Sequence, residues 1–249
     1  MLWLLLACAK QRPPVDSAPA IPVDSTEVGD TGDSSIADTA DSAASPVTLW
    51  PVDGPCGAWS GVQQTGTTWT YTASDDYVAT YAMDGGFTTV ATVGEDGLVT
   101  LLSTGSYAGD RSSFSYSRTD TWRCDEAGAW WIRNESNSNL RNGGNESTIS
   151  GWRTFVPGWL VRPAMADVGT IWTDTFTLES EVNGVHDTPY EVSCVSNVSL
   201  EEVRRVDAGE FLAQRVDTDC DGSSDTSRWL VQYLGVLATE DEELTAYVP

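Results

Sequence analysis

The run Asp217-Thr218-Asp219-Cys220-Asp221-Gly222-Ser223-Ser224-Asp225 carries carboxylates at loop positions 1, 3, 5 and 9, with glycine at position 6. A hard divalent cation collects several oxygen ligands. This spacing matches the first nine places of a calcium loop, in which the glycine allows the sharp turn. Asp217, Asp219, Asp221 and Asp225 are therefore candidate calcium ligands. Position 12, where a bidentate glutamate belongs, is Arg228, so the affinity expected is weak, in the millimolar range of extracellular modules. The plainer alternative is a hairpin turn on Asp221-Gly222 with its carboxylates in water.

Four of the five cysteines, Cys56, Cys124, Cys194 and Cys220, are spaced too widely for a zinc site, and His186 is the only histidine in the chain. An even number of cysteines in an exported chain reads as two disulfides, and four cysteines allow three pairings. His186 lies in a turn-like segment, Asn183 to Pro189, and no Gly-x-Ser-x-Gly elbow accompanies it, so no catalytic residue is assigned. The paired acids Asp75-Asp76, Glu201-Glu202 and Glu240–Glu243 are unremarkable in a chain with 37 acidic residues. Trp130-Trp131 has the material of a sugar-stacking platform. In a strand, however, one ring faces the core and the other faces solvent.

The charge balance excludes some partners. With 13 Lys+Arg against 37 Asp+Glu the formal net charge is -24. No basic stripe offsets it, so nucleic acid is not an expected partner.

Met1-Leu2-Trp3-Leu4-Leu5-Leu6-Ala7 is an apolar run, far short of the roughly 20 residues that cross a bilayer. Leu5-Leu6-Ala7-Cys8 resembles the lipobox of bacterial lipoproteins. The resemblance implies that residues 1–7 are a signal segment cut before Cys8, and that Cys8 carries acyl chains such as palmitate. Ala9 follows the cysteine, and by the same resemblance a residue other than Asp there favours the outer membrane of the cell envelope. Residues 8–48 are rich in Pro, Ser, Thr and Asp, and from Ala9 onwards hold no aromatic residue. They read as a disordered acidic tether, with a coil reach of roughly 35 Å.

Residues 49–249 have the texture of one all-β domain. Thr67–Thr72, Tyr77–Met83 and Phe87–Val93 are short Thr-, Val- and aromatic-rich runs. Between them, Asp84-Gly85-Gly86 and Glu95-Asp96-Gly97 supply turn residues. Further runs at 98–103, 112–123, 129–133, 148–155, 170–178, 190–195, 211–216 and 227–233 predict a large curved antiparallel meander sheet. One turn of helix is expected at Arg162–Asp167. Gly66-Thr67-Thr68-Trp69-Thr70 matches Gly169-Thr170-Ile171-Trp172-Thr173, and Cys124-Asp125 before Trp130-Trp131 matches Cys220-Asp221 before Trp229. These matches point to two similar modules, about 57–156 and 157–249. The duplication favours disulfides within modules, Cys56–Cys124 and Cys194–Cys220.

Four segments carry a second resemblance: Pro157–Pro163, Val168–Thr173, Val206–Phe211 and Trp229–Leu237. They resemble a class of bacterial envelope lipoproteins similar in turn to the LolA/LolB-type carriers. The resemblance implies a curved antiparallel sheet around an apolar ligand-holding face. The function expected is that of a non-enzymatic envelope lipoprotein binding an apolar ligand or an envelope partner protein. The alternatives are a carbohydrate-active or carbohydrate-binding module and a purely structural or adhesive surface module.

Overall fold

The computed structural model describes residues 62, 64–94, 98–221 and 225–249. The expectations for residues 1–7, Cys8, the tether and Cys56 lie outside them. Strand β1 (Thr68–Ala73) alternates Thr-Trp-Thr-Tyr-Thr-Ala, burying Trp69, Tyr71 and Ala73 and turning the threonines outward. Aromatic and β-branched residues at a period of two fit a pleated, half-buried wall.

Helix α1 (Asp75–Tyr81) follows, where the Tyr77–Met83 run reads as a strand. Local capping overrides that pattern. Ser74 Oγ accepts the Tyr77 N–H at 3.2 Å, and Asp75 in the first turn suits the helix dipole. The buried Tyr77 ring lies 4.8 Å from the Tyr81 ring and 5.4 Å from that of Tyr107.

Twelve more strands complete the wall. They are β2 (Asp84–Val93), β3 (Leu98–Ala108), β4 (Ser112–Asp125), β5 (Gly128–Asn142), β6 (Asn145–Pro163) and β7 (Ile171–Val182). After these come β8 (Val185–His186), β9 (Tyr190–Val206), β10 (Gly209–Cys220), β11 (Thr226–Val231), β12 (Gly235–Thr239) and β13 (Glu242–Val248). Each pairs antiparallel with its neighbours. The expected meander closes on itself through β1–β13 and β6–β7 into a 12-strand barrel, with β8 as a short appendage of β7. The Asp84-Gly85-Gly86 segment lies inside β2 and is not a turn.

Two local devices permit closure. A Cβ on Gly86 would lie 2.1 Å from the Tyr71 carbonyl oxygen, and one on Gly105 would lie 2.4 Å from that of Gly86. Only glycine lets β1, β2 and β3 coil so tightly there. Where the β6–β7 ladder stops, at Val156↔Thr177, side chains continue the join. Leu160 N–H donates to Asp174 Oδ2 at 2.6 Å, and Trp172 Nε1–H donates to the Leu160 carbonyl at 3.1 Å.

The segment 164–167 is not helical, contrary to the expected turn of helix. The buried Arg162 guanidinium holds it instead, donating to Ala166 O at 2.6 Å and to Gln214 Oε1 at 2.5 Å. Gly66–Thr70 and Gly169–Thr173 open β1 and β7, the first strands of two six-strand runs of the barrel. Cys124 and Cys220 instead end β4 and β10, which are not equivalent places in the two runs.

Apolar side chains fill much of the interior. Phe155, Phe176, Leu178, Val192 and Cys194 form one cluster; Ala166, Val198, Val216 and Leu230 form another. Outward positions carry polar residues such as Thr100, Ser117, Glu135, Asn137 and Thr175 together with exposed apolar ones such as Val90, Leu102, Ile171 and Val195.

Candidate functional site

The period of two that builds β4 places Phe114, Tyr116, Arg118, Asp120 and Trp122 on one face, and that face is the interior. Asp120 sits opposite Asn134, Asn134 opposite Arg153, and Arg153 opposite Ser180, across β4 to β7. Directly opposed residues share a face, and Asp120, Asn134 and Ser180 are all buried. Arg118 Nε lies 2.6 Å from Asp120 Oδ2. Asp120 Oδ1 accepts from Asn134 Nδ2 at 2.9 Å and from Trp131 Nε1 at 3.1 Å. From across the barrel, Arg228 of β11 stands opposite the buried Val216 and so points inward. Its guanidinium is 5.8 Å from the centre of the Trp159 ring, and that of Arg118 is 5.1 Å from the centre of Trp131. Trp122, Trp131 and Trp159 form a stack with centroid spacings of 5.8 and 5.6 Å.

Donors outnumber acceptors in this chamber. Asp120 is already shared between Arg118, Trp131 and Asn134. Among the described residues, nothing hydrogen-bonds the guanidinium of Arg153 or Arg228, and the buried indole N–H groups of Trp122 and Trp159 lack acceptors. Burial and the neighbouring Arg118 push the Arg228 guanidinium down to about 10, against the pull of Asp120. Burial likewise lowers Arg153, with Arg118 adding to it while Tyr190 and Asp187 act the other way. Both groups stay protonated at neutral pH.

As whole residues Arg153 and Arg228 are partly buried. Towards the β5–β6 tip the inward positions include Ser136, Ser138 and Gly151 together with Leu140 and Ile149, all partly buried. The arrangement can receive an acceptor-rich, negatively charged group at the mouth of an aromatic stack.

The predicted calcium ligands lie elsewhere, along β10 and on either side of residues 222–224. Asp217 Oδ1 accepts from Arg215 Nε at 2.8 Å and from Ser227 Oγ at 2.6 Å. Asp217 and Asp219 are alternate residues of β10, which sets them about 7 Å apart along the strand. Asp221 and Asp225 are exposed on either side of residues 222–224, which are not described. Among the described residues no group of three or more His, Cys, Asp or Glu is placed to hold a metal.

Cys194 and Cys220 face each other across β9 and β10 and form a disulfide. Cys124 is also disulfide-bonded. His186 is exposed on β8, 3.0 Å from Glu181. Of the tryptophan pair, Trp131 joins the interior stack. Trp130 donates to Asp125 at 2.9 Å and lies beneath the Arg123 guanidinium at 5.1 Å. Trp152 and Trp229 are likewise capped, by Arg133 at 4.8 Å and by Arg204 at 4.0 Å.

Of the acidic run Glu240–Glu243, two members make wall contacts. Glu242 is buried and accepts from Tyr107 Oη at 2.9 Å, and Glu243 accepts from Arg204 at 3.3 Å. An open groove of about 500 Å³ beside α1 is lined by Tyr77, Tyr81, Arg204, Trp229 and Glu243, so its one guanidinium is already paired.

Arg118, Arg153 and Arg228 are the residues that reading for catalytic motifs passes over. The alternation in Phe114–Trp122 was the available signal, since it puts Arg118 and Asp120 in step with aromatic core residues. The chain matches no protein-family model, no curated protein and no solved structure.

Proposed function

We propose that this chain is a lipid-anchored envelope protein whose barrel holds a ligand in its interior and performs no reaction on it. The observation that carries the binding half is the pair Arg153 and Arg228, two inward guanidiniums without a hydrogen-bond partner among the described residues. A buried charge left unpaired is costly, and a complementary ligand removes the cost.

Restriction to binding is supported by the inward carboxylates. Asp120, Asp174 and Glu242 each already accept from protein donors, whereas a general acid or base needs a carboxyl group free to meet substrate. The address rests on Leu5-Leu6-Ala7-Cys8 and on the Cys194–Cys220 disulfide, a bond that persists in oxidising compartments such as the envelope. On this reading the acidic segment after Cys8 holds the barrel off the membrane.

Two measurements test the two halves. Metabolic labelling with a fatty acid should mark the wild type and leave Cys8→Ala unmarked; equal labelling removes the anchor. Native mass spectrometry of protein purified from its own envelope should show a small molecule that is released on denaturation. A bare chain mass from several preparations removes the ligand.

A further inference from the structure

We infer that the open groove beside α1 binds a small organic ammonium ion, its charge met by Glu240 and Asp241 and its carbon body by the Tyr81 ring. The site is separate from the barrel interior, and its test does not depend on what the interior holds.

One half of this groove already holds a cation that belongs to the chain. The Arg204 guanidinium lies 4.0 Å from the centre of the Trp229 ring, 3.3 Å from Glu243 and 3.8 Å from Glu202. An aromatic face beside carboxylates is the arrangement that recognises organic cations. The other half repeats those groups without a cation of its own. Tyr81 is 39% exposed, and it lines the groove together with Glu240 and Asp241. Ser74 fixes the two acids against α1: its N–H donates to the Asp241 carbonyl at 2.8 Å, and its Oγ donates to the Glu240 carbonyl at 2.9 Å. Among the described residues nothing pairs with the exposed Glu240 carboxylate. Arg204 is the one basic residue among those that line the groove, and two carboxylates already share it.

A second, independent observation points to a ligand. Tyr77 lines the same groove, is 3% exposed, and its Oη has no hydrogen-bond partner. Buried polar groups are nearly always satisfied in native proteins. Burial, then the charges of Asp241 and Glu242 and the Tyr81 phenol, push the Tyr77 hydroxyl up to about 12. Of these charges that of Asp241, a lining residue, acts most strongly, which sets the phenol oxygen on the groove side. A neutral phenol oxygen accepts from an ammonium N–H.

Charge and size narrow the class. An anion would meet three lining carboxylates, and a neutral polyol would leave their charge unmatched. A metal ion needs converging ligands, and among the described residues no group of three or more His, Cys, Asp or Glu is so placed. A volume of about 500 Å³ suits a small molecule.

The test titrates the full-length, lipid-anchored protein in detergent with benzylammonium chloride, read as heat and by saturation-transfer NMR. Benzyl alcohol, which keeps the ring and loses the charge, should bind about tenfold more weakly, as should ammonium chloride, which keeps the charge and loses the body. Glu240→Gln should weaken benzylammonium about tenfold and Tyr77→Phe, which removes only the oxygen, about fivefold. Tyr81→Ala should cost about threefold. Glu135→Gln, on the opposite stretch of outer wall, should bind as wild type. Thermal melts confirm that each variant is folded.

Benzyl alcohol binding as tightly as benzylammonium overturns the ammonium head, and ammonium binding as tightly overturns the organic body. If folded Glu240→Gln and Tyr81→Ala both bind as wild type, or Glu135→Gln weakens binding as much as Glu240→Gln, the ion is held by the acidic surface at large and the inference falls. It falls equally if millimolar benzylammonium gives neither heat nor saturation transfer.

Discussion

Leu160 and Asp174 join two strands at a level where those strands share no backbone ladder. The Leu160 N–H donates to Asp174 Oδ2 at 2.6 Å, beyond the last β6–β7 pair, Val156↔Thr177. A buried backbone donor left without an acceptor costs about 1–3 kcal/mol. Asp174→Ala should lower stability by that amount, whereas Asp174→Asn, which keeps an acceptor oxygen, should retain most of it. Urea midpoints give the energies. Amide exchange at Leu160 should accelerate in the alanine variant and stay slow in the asparagine variant; uniform acceleration across β6 and β7 would mean that Asp174 does not guard this seam.

Cys194 and Cys220 are separated by 26 residues of sequence, and a cross-link of that span restricts the unfolded chain by about 3 kcal/mol in the loop-entropy model. The double variant Cys194→Ala/Cys220→Ala should lose roughly that much and still close its barrel. Thiol tagging of the denatured, unreduced wild type should leave Cys56, Cys124, Cys194 and Cys220 unmodified. Tagging at any one of them contradicts a framework of two disulfides.

The fold was legible where side chains repeat every second residue. β1, with Trp69 and Tyr71 inward between threonines, could be read directly, as could β3 and β4. Three features were hidden, each for its own physical reason. Helix α1 has strand-like residues and forms because Ser74 caps it, a contact that outweighs the pattern in Tyr77–Met83. Strand β13 begins in an acidic run that looks solvated, yet Glu242 is buried because Tyr107 donates to it. Closure depends on partners far apart in sequence, such as Thr68 and Val248, and periodicity carries no information about them. The interior site was invisible for a related reason. Arg118, Arg153 and Arg228 have no common motif and meet only because the barrel brings β4, β6 and β11 round to one chamber.

Asp217 makes stability depend on pH at the acid end. Burial works to raise its pKa, but hydrogen bonds from Ser199, Ser227 and Arg215, with the charge of Arg215, bring it below the usual carboxylate range. The unfolded chain therefore binds this proton more readily than the folded one. The stabilisation is fully present above the unfolded value of about 3.9 and is lost as pH falls through the lower folded value. Urea midpoints recorded from pH 6 down to pH 2 should fall less steeply for Asp217→Asn than for wild type. Parallel curves would show that Asp217 does not contribute.

Calcium should have no specific effect on the barrel. Asp217 is occupied by Arg215 and Ser227, and β10 spaces Asp217 and Asp219 along a strand where they do not converge. Millimolar calcium and magnesium should therefore shift the melting temperature equally, by screening acidic repulsion. A larger rise with calcium, abolished by Asp219→Ala, would establish the ion site instead.

The pairing of β1 with β13 sets the order of assembly. Strand β13 is fastened along its length to β1, from Thr68↔Val248 to Ala73↔Glu242, but to β12 at one register pair, Ala238↔Glu243. Synthesis runs N-terminus first, so β1 to β12 exist before the seven residues that join them. Until β13 arrives, β1 and β12 both present unpaired edges, and such edges recruit other chains. Losing Glu242–Val248 would not yield a barrel short of one strand; it would yield an open sheet able to grow at both sides. Glu242–Val248 thus act as a latch on solubility.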